Sequence, residues 1–369
     1  MTNRDAIEQM LSEDPERLDL YLAYAEHLRD DADPRGKLIM LQRRIAEASR
    51  GGGDQTRRKR RARRLRKLAD DWLRRHEDVF LGPLAEWTRR GYVRIEWRLG
   101  FIRAARVSGQ GQRRCPAPQA LADLLAHPSA AYMTELRLGS SGKDGWCEPF
   151  FWVMKTAGVR PSLRHLVCAH PDEHGFYPIG HVGALWPLYP ELRSIRIRSW
   201  NGGEPRSVRL RGPQGDIVLL RLESFALDID TMDITELEAL AAAHWPALRS
   251  VRIALGHGRD PGEAATPSSA LSSALAPLLD PRRAPHLRQL SLRGDAATDE
   301  LCQILIQEGL LAQLTELDLS HGRITDAAAQ RLAGSGAIAH LERLDVRGSS
   351  LTDEGRAALV TALPSGCVF

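Results

Sequence analysis

The residues best suited to chemistry lie in one short stretch of the chain, which combines a thiol with three imidazoles. They are Cys168, His170, His174 and His181. Cysteine sulfur and histidine nitrogen are ligands of zinc, and histidines four residues apart share one face of a helix. Pro171 and Gly175 predict a loop instead, and no second Cys or His pair follows at metal-ligand spacing. The two interpretations are therefore a zinc site and a loop of surface histidines. We favour the second, and we expect neither a metal nor a cofactor.

Motifs of catalysis are missing from the rest of the sequence. The remaining cysteines, at 115, 147, 302 and 367, form no CxxC pair, and their scatter is typical of reduced thiols. The sequence contains no Walker A loop, dinucleotide fingerprint or HExxH. We therefore predict that the protein is not an enzyme. Its polar N-terminus and the lack of an apolar run near the ~20 residues of a membrane span favour a cytoplasmic location.

A repeat runs through most of the chain. Its unit is an apolar residue followed by others three and five positions later, as in Leu314-Thr-Glu-Leu317-Asp-Leu319. The predicted units start at Ile102, Met133, Leu163, Leu192, Ile217, Leu248, Leu287, Leu314 and Leu341. Apolar positions at period two predict a short strand with one face in the core. One strand cannot bury that face alone, so the units must stack as a solenoid.

Helical segments follow the strands of the late units. They begin at Asp299, Asp326 and Asp353, each preceded by a threonine that supplies an N-cap oxygen. This strand–loop–helix unit resembles the ribonuclease-inhibitor-like class of leucine-rich repeats. The fold class expected is α/β: a leucine-rich-repeat solenoid over 91–369, with about nine units, a curved parallel sheet inside, and helices or loops outside.

Residues 1–90 predict an all-α helical cap. Apolar residues at helical spacing indicate helices at 5–11, 16–29 and 37–48. Asp14-Pro15, Tyr24-Ala25-Glu26-His27-Leu28 and Asp33-Pro34-Arg35-Gly36 resemble the bacterial repeat-companion domain, although Glu26-His27 replaces the usual Asp-Trp. That resemblance implies a bacterial protein in which the domain precedes repeats, and it implies no catalytic role.

A basic helix is predicted at 56–77. Nine of the eleven residues from 57 to 67 are basic: Arg57, Arg58, Lys59, Arg60, Arg61, Arg63, Arg64, Arg66 and Lys67. Such a helix can serve nucleic acid or an anionic membrane. The alternative is a solvated capping helix whose apolar stripe docks on the first repeat. The sequence leaves both interpretations open.

Arginines recur on the predicted concave face of the sheet, where residues four and six after each unit start point outward. The candidates for partner binding are Arg106, Arg137, Arg196, Arg198, Arg221, Arg252 and Arg293, and the last units carry Asp318 and Asp345 instead. A ladder of like charge is unfavourable unless something anionic meets it. Glu135 and Glu223 could pair with neighbouring arginines, and salt could screen the others.

The sequence favours a non-enzymatic interaction scaffold, adaptor or regulator that binds an acidic protein partner on this face. A signalling, protease or defence component would fit, and the sequence does not choose among them. The first alternative is a nucleic-acid-binding or sensor protein that uses the basic helix and the arginines. Aromatic residues for base stacking are not interleaved with either. The second alternative, a metal-dependent enzyme, depends on the histidine cluster.

Overall fold

The computed structural model describes residues 3–50, 55–109, 115–141, 147–168, 178–199, 208–256 and 268–365. The chain forms two compact units. The first unit comprises Met1–Lys143 and Trp152–His165, and the second comprises Asp144–Phe151 and Leu166–Phe369. Helix α8 (Glu148–Ala157) and strand β4 (His165–Cys168) have residues in both.

Helices make up the start of the first unit. They are α1 (Asn3–Glu13), α2 (Leu18–Asp30), α3 (Pro34–Arg50), α4 (Gln55–Arg75), α5 (Glu77–Phe80) and α6 (Leu84–Arg89). The three predicted helices and the basic helix are confirmed as α1 to α4. Pro34 starts α3 with a φ angle that proline already favours. A side chain at Gly36 would lie 2.8 Å from the Ala25 carbonyl oxygen, so glycine lets α3 approach α2 closely.

A short sheet completes the first unit. Strands β1 (Val93–Arg98) and β2 (Phe101–Val107) form an antiparallel hairpin, and β3 (Glu135–Leu138) runs parallel to β2. Helix α7 (Ala117–Ala126) joins β2 to β3. The hairpin turn consists of Leu99 and Gly100, both with positive φ, which is the geometry of a tight two-residue connection. The repeat pattern predicted β2 and β3, but it gave no signal for β1.

The Asp33-Pro34-Arg35-Gly36 motif ties the helices of the first unit to its sheet region. The buried Arg35 guanidinium donates hydrogen bonds to Asp33 Oδ2 at 2.7 Å, the Val79 carbonyl oxygen at 3.0 Å and Ser129 Oγ at 3.0 Å. Beside it, Tyr21, Tyr24, Phe101 and Tyr132 form an aromatic cluster in which the rings of Phe101 and Tyr132 are 4.8 Å apart. The motif therefore has a structural role here.

Parallel strands form the sheet of the second unit. They are β6 (Ser194–Ser199), β8 (Ser224–Ile229), β9 (Ser250–Leu255), β10 (Gln289–Gly294), β11 (Glu316–Asp318) and β12 (Arg343–Asp345), paired in that order. β5 (Gly180–His181) and β7 (Val208–Arg209) pair separately. The helices are α9 (Ile234–Ala242), α10 (Ser268–Leu275), α11 (Asp299–Glu308), α12 (Asp326–Gly334) and α13 (Asp353–Ala362).

The repeat register is confirmed in most units. Ile195, Leu317 and Leu344 are buried, as the pattern requires. One predicted unit, which begins at Ile217, is wrong. Its second apolar residue, Leu220, is 54% exposed, whereas Leu222 is fully buried and the strand begins at Ser224. The true unit is Leu222-Glu-Ser-Phe225-Ala-Leu227, so the prediction placed the strand five residues too early.

The threonines before the late helices do more than cap them. Thr298 Oγ1 accepts a hydrogen bond from the Leu301 amide, and Thr352 Oγ1 accepts one from the Glu354 amide. The predicted cap is absent at Thr325, and its hydroxyl donates to Asp299, the first residue of the preceding helix.

Candidate partner-binding face

The open face is the side of the second unit's parallel sheet on which alternate strand residues remain accessible. In β6, Ser194, Arg196 and Arg198 lie on this face, and Ile195 and Ile197 point to the core. β8 and β9 align with β6 without a register shift. Side chains on neighbouring strands therefore form straight rows across the open face.

One such row carries two exposed arginines of the predicted ladder. Arg196 aligns with Ala226 of β8, which in turn aligns with Arg252 of β9. Neighbouring strands are ~4.8 Å apart, so the two arginine backbones are separated by about 10 Å. Both arginines are exposed, and within the described residues no carboxylate pairs with either. The row therefore presents two available guanidinium groups on either side of a small methyl group.

The rows beside it are polar and partly neutralised. Ser194, Ser224 and Ser250 align as a row of hydroxyl groups. On the other side, Arg198 Nε lies 3.4 Å from Asp228 Oδ2. This ion pair leaves Arg198 less available to a partner than Arg196.

Arg221 does not belong to the open face. It lies in a turn before β8, and its predicted strand position is taken by Ala226. The error follows from the misplaced repeat unit, because two overlapping apolar patterns occur between 217 and 227. Spacing was the available signal: Leu222 lies 30 residues after Leu192 and 26 before Leu248, which is more regular than a start at Ile217.

The end of the open face near β12 carries charges of both signs, and its side chains form hydrogen bonds with one another. Ser291 Oγ donates to Asp318 Oδ2 at 2.9 Å, and Arg293 Nε donates to Ser320 Oγ at 2.9 Å. A cavity of about 130 Å³ opens here, lined by residues that include Arg252, Gln289, Glu316 and Arg343. Arg293 is thus hydrogen-bonded to Ser320 and is less available to a partner than Arg196 or Arg252.

Asp345 was predicted to be accessible, and this is wrong. Its side chain is 9% exposed, because Arg347 and Arg343 lie over it. Arg347 Nε donates to Asp345 Oδ1 at 2.9 Å, and its backbone amide donates at 3.1 Å. These hydrogen bonds lower the pKa of the Asp345 carboxyl below its ordinary value.

Two further ladder arginines lie in the first unit. Arg106 of β2 and Arg137 of β3 are direct neighbours in the register. Arg137 Nε donates to Glu135 Oε1 at 2.5 Å, and Arg137 Nη1 lies 3.5 Å from Glu96 Oε1. The hydrogen bond to Glu135 raises the pKa of Arg137. Glu135 therefore does pair with Arg137, as the sequence suggested. Its negative charge offsets part of the positive charge of Arg106 and Arg137.

The described members of the histidine cluster are not arranged as a zinc site. Cys168 is buried in β4, and His181 Nε2 lies 2.9 Å from the Arg211 carbonyl oxygen. His170 and His174 lie outside the described residues, and no metal-ligand group occurs within the described ranges. Burial raises the pKa of the Cys168 thiol well above its ordinary value and that of Cys147 to about 12. Such thiols are poor nucleophiles and poor metal ligands.

The basic helix packs by one stripe against its neighbours within the first unit. Ala62 and Ala69 of α4 are buried, and Leu65, Trp72 and Leu73 are partly buried beside Leu38 of α3. Leu68 lies outside this packed stripe and is 48% exposed. The Trp72 indole donates to the Pro34 carbonyl oxygen at 2.9 Å.

Comparisons with known proteins found one family model and similar solved structures. A leucine-rich-repeat family model matches residues 313–333 and 337–360. A solved structure of a protein from Bacteroides fragilis shares 17% identity and a TM-score of 0.55, and the alignment covers 80% of this chain and 82% of that one. An internalin from Listeria monocytogenes shares 11% identity and a TM-score of 0.28, over 73% of this chain and 91% of its own. No curated protein matches the chain.

The family model and the Bacteroides structure, together with the parallel strands and the repeat, define the fold. It is an α/β leucine-rich-repeat solenoid with a helical N-terminal region. Among the described helices, none combines the length and apolar character needed to cross a bilayer.

Proposed function

We propose that this chain is a non-enzymatic interaction module that binds an acidic surface of another protein on the open face of its second unit. Leucine-rich-repeat proteins generally act in protein–protein interaction, and solenoids offer extended surfaces for it. The resemblance of residues 14–36 to the repeat-companion domain, and of the late units to the ribonuclease-inhibitor-like class, belongs to the same proposal. It implies a bacterial protein, which we propose to be a cytoplasmic adaptor or regulator.

The observation that carries the proposal is the row formed by Arg196, Ala226 and Arg252. Arginine binds carboxylates through two parallel hydrogen bonds, and its guanidinium is less strongly hydrated than a lysine ammonium. Two arginines about 10 Å apart across a methyl group leave room for a carboxylate from a partner between them. The serine row beside them adds hydroxyl donors. An aspartate or glutamate side chain of a protein partner fits this arrangement.

The remaining predicted contacts contribute less to the proposed interface. Arg198, Arg293 and Arg137 already have carboxylate or hydroxyl partners within their own unit. A binding partner would have to compete with these contacts, so substituting these arginines should have smaller effects on affinity than substituting Arg196 or Arg252.

The test is capture of partners from the native host with three baits. They are the wild-type chain, Arg196→Glu with Arg252→Glu, and a control with Arg209→Glu and Arg249→Glu. The control changes the net charge equally at exposed arginines outside the rows of the open face. We expect the wild type and the control to recover a common acidic protein, which the open-face variant loses. With that protein purified, the loss should reach about 2 kcal/mol or more of binding free energy.

Thermal unfolding provides the check on folding. Neither arginine of the row contributes to the core, so the open-face variant should melt like the wild type. Recovery of the same partner by all three baits would overturn the proposal.

A further inference from the structure

The basic segment, residues 57–67 of α4, is a concentration of charge that the open face does not explain. Its nine positive charges exceed the net charge of the whole chain, +4, so the rest of the chain is net acidic. Besides Arg57, seven basic side chains of the segment are exposed: Lys59, Arg60, Arg61, Arg63, Arg64, Arg66 and Lys67. Within the described residues, none of these seven forms an ion pair.

Other arginines of the same unit are paired along their helices. Arg4 contacts Glu8, Arg43 contacts Glu47, and Arg89 contacts Glu86. The basic segment has no acidic residue at all, so neighbours at i,i+3 and i,i+4 repel each other instead. Each such like-charge pair destabilises a helix. Packing of α4 against α3 offsets this cost, and an anionic ligand would remove it.

The cations are spread around the exposed side of the helix. At 100° per residue, the seven side chains cover an arc of about 220° opposite the buried Ala62 and Ala69. From residue 59 to residue 67 the helix rises about 12 Å. Duplex DNA carries one phosphate charge per ~1.7 Å of its axis, which is a comparable charge density.

A membrane surface is a poorer fit than a nucleic acid. A helix that lies in a bilayer interface needs a free apolar face to insert. Here the apolar stripe is already packed in the protein, and Leu68 is the exposed large apolar residue of the described helix. Single strands are also disfavoured, because they are bound through stacking on aromatic residues. The aromatic residue of α4, Trp72, is partly buried and covered by Lys37, 3.7 Å from its ring.

We propose that the basic segment binds the phosphate backbone of double-stranded nucleic acid without sequence preference. Contacts to phosphates carry no sequence information, and they release counterions, so binding should weaken steeply with salt. With about six phosphates contacted, affinity should fall about 10³-fold between 50 mM and 200 mM salt. This activity is separate from the open face and does not depend on its proposed partner.

The experiment measures anisotropy of a fluorescein-labelled, mixed-sequence 20-base-pair DNA over this salt range, with the full chain. The test variant carries Arg60→Gln, Arg61→Gln, Arg63→Gln and Arg64→Gln, since glutamine keeps helix propensity while removing charge. We expect the loss of affinity with salt to shrink from about 10³-fold to about 10-fold, because about two of the six phosphate contacts remain, and affinity at 50 mM salt to drop at least tenfold. Circular dichroism checks that α4 remains helical.

The matched control removes four charges elsewhere, through Arg209→Gln, Arg221→Gln, Arg249→Gln and Arg282→Gln. All four are exposed arginines of the second unit. The control should keep wild-type DNA binding. Equal losses in both variants would mean that general charge is responsible and would overturn the proposal. So would tighter binding to the corresponding single strand, or binding to phosphatidylserine vesicles without duplex binding at the same salt.

Discussion

Asp299 accepts two hydrogen bonds from Thr325, one from its backbone amide at 2.9 Å and one from its hydroxyl at 2.6 Å. Asp326 accepts the same pair from Thr352, at 2.9 Å and 2.7 Å. Each aspartate begins a helix, and each threonine precedes the helix of the next repeat. The contact therefore links consecutive repeats at the N-termini of their helices, where a negative charge also interacts favourably with the helix dipole.

The first prediction concerns this link. Asp326→Ala should destabilise the protein by about 1–3 kcal/mol, because two hydrogen bonds to a charged acceptor are lost. Asp353→Ala is the matched control. Asp353 occupies the same position in α13, but within the described residues it accepts no such pair. Urea unfolding should show a clear loss for Asp326→Ala and little change for Asp353→Ala. Equal losses would mean that the helix dipole alone accounts for the effect.

The second prediction concerns Gly355 of α13. A Cβ atom there would lie 2.1 Å from Asp326 Oδ1, so the aspartate requires glycine at this position. Gly355→Ala should destabilise the protein even though alanine is the better helix former. Gly334→Ala in α12 meets nothing within 4 Å and should stabilise by about 0.5–1 kcal/mol. Opposite shifts of the melting temperature are expected. A double substitution, Gly355→Ala with Asp326→Ala, should cost less than the sum of the two.

The sequence predicted the regular part of the fold because burial repeats with a fixed period there. Leu317 and Leu344 stand at equivalent positions of neighbouring units, and each must enter the same core. The pattern failed between 217 and 227, where Leu220 and Leu222 both fit an apolar position and only packing decides between them. It also missed β1, since an antiparallel hairpin strand is not part of the repeat.

The candidate site was less predictable than the fold. The pattern identified Arg196 and Arg252 as strand residues on one face, but it placed Arg221 between them. The register puts Ala226 there, which changes a continuous ladder of charge into two separated arginines. The sequence also did not reveal the ion pair between Arg198 and Asp228. These residues are 30 positions apart in the chain, and only the register of their strands aligns them.

The third prediction tests the corrected register with two leucines that are two residues apart. Leu222→Ala should cost about 2–5 kcal/mol, because a buried side chain leaves a cavity. Leu220→Ala should cost little, since that side chain is 54% exposed. Chemical denaturation of both variants is the measurement. A larger loss of unfolding free energy for Leu220→Ala than for Leu222→Ala would contradict the corrected register and favour the strand predicted to begin near Ile217.

The last prediction uses the pH dependence of Asp345. Its pKa is lowered from the ordinary 3.8 by hydrogen bonds from Arg347. A carboxyl group whose folded pKa is depressed stabilises the protein above its unfolded pKa, and that stability is lost as the pH falls. Asp345→Asn removes the charge, so the variant should be less stable than the wild type at pH 7 and at pH 5 by the same amount. Below about pH 4 the difference should shrink, because protons bind the unfolded wild-type chain first. Urea unfolding between pH 7 and pH 2.5 measures both. A difference that stays constant down to pH 2.5 would mean that the ion pair with Arg347 contributes nothing, and that the variant acts only through packing.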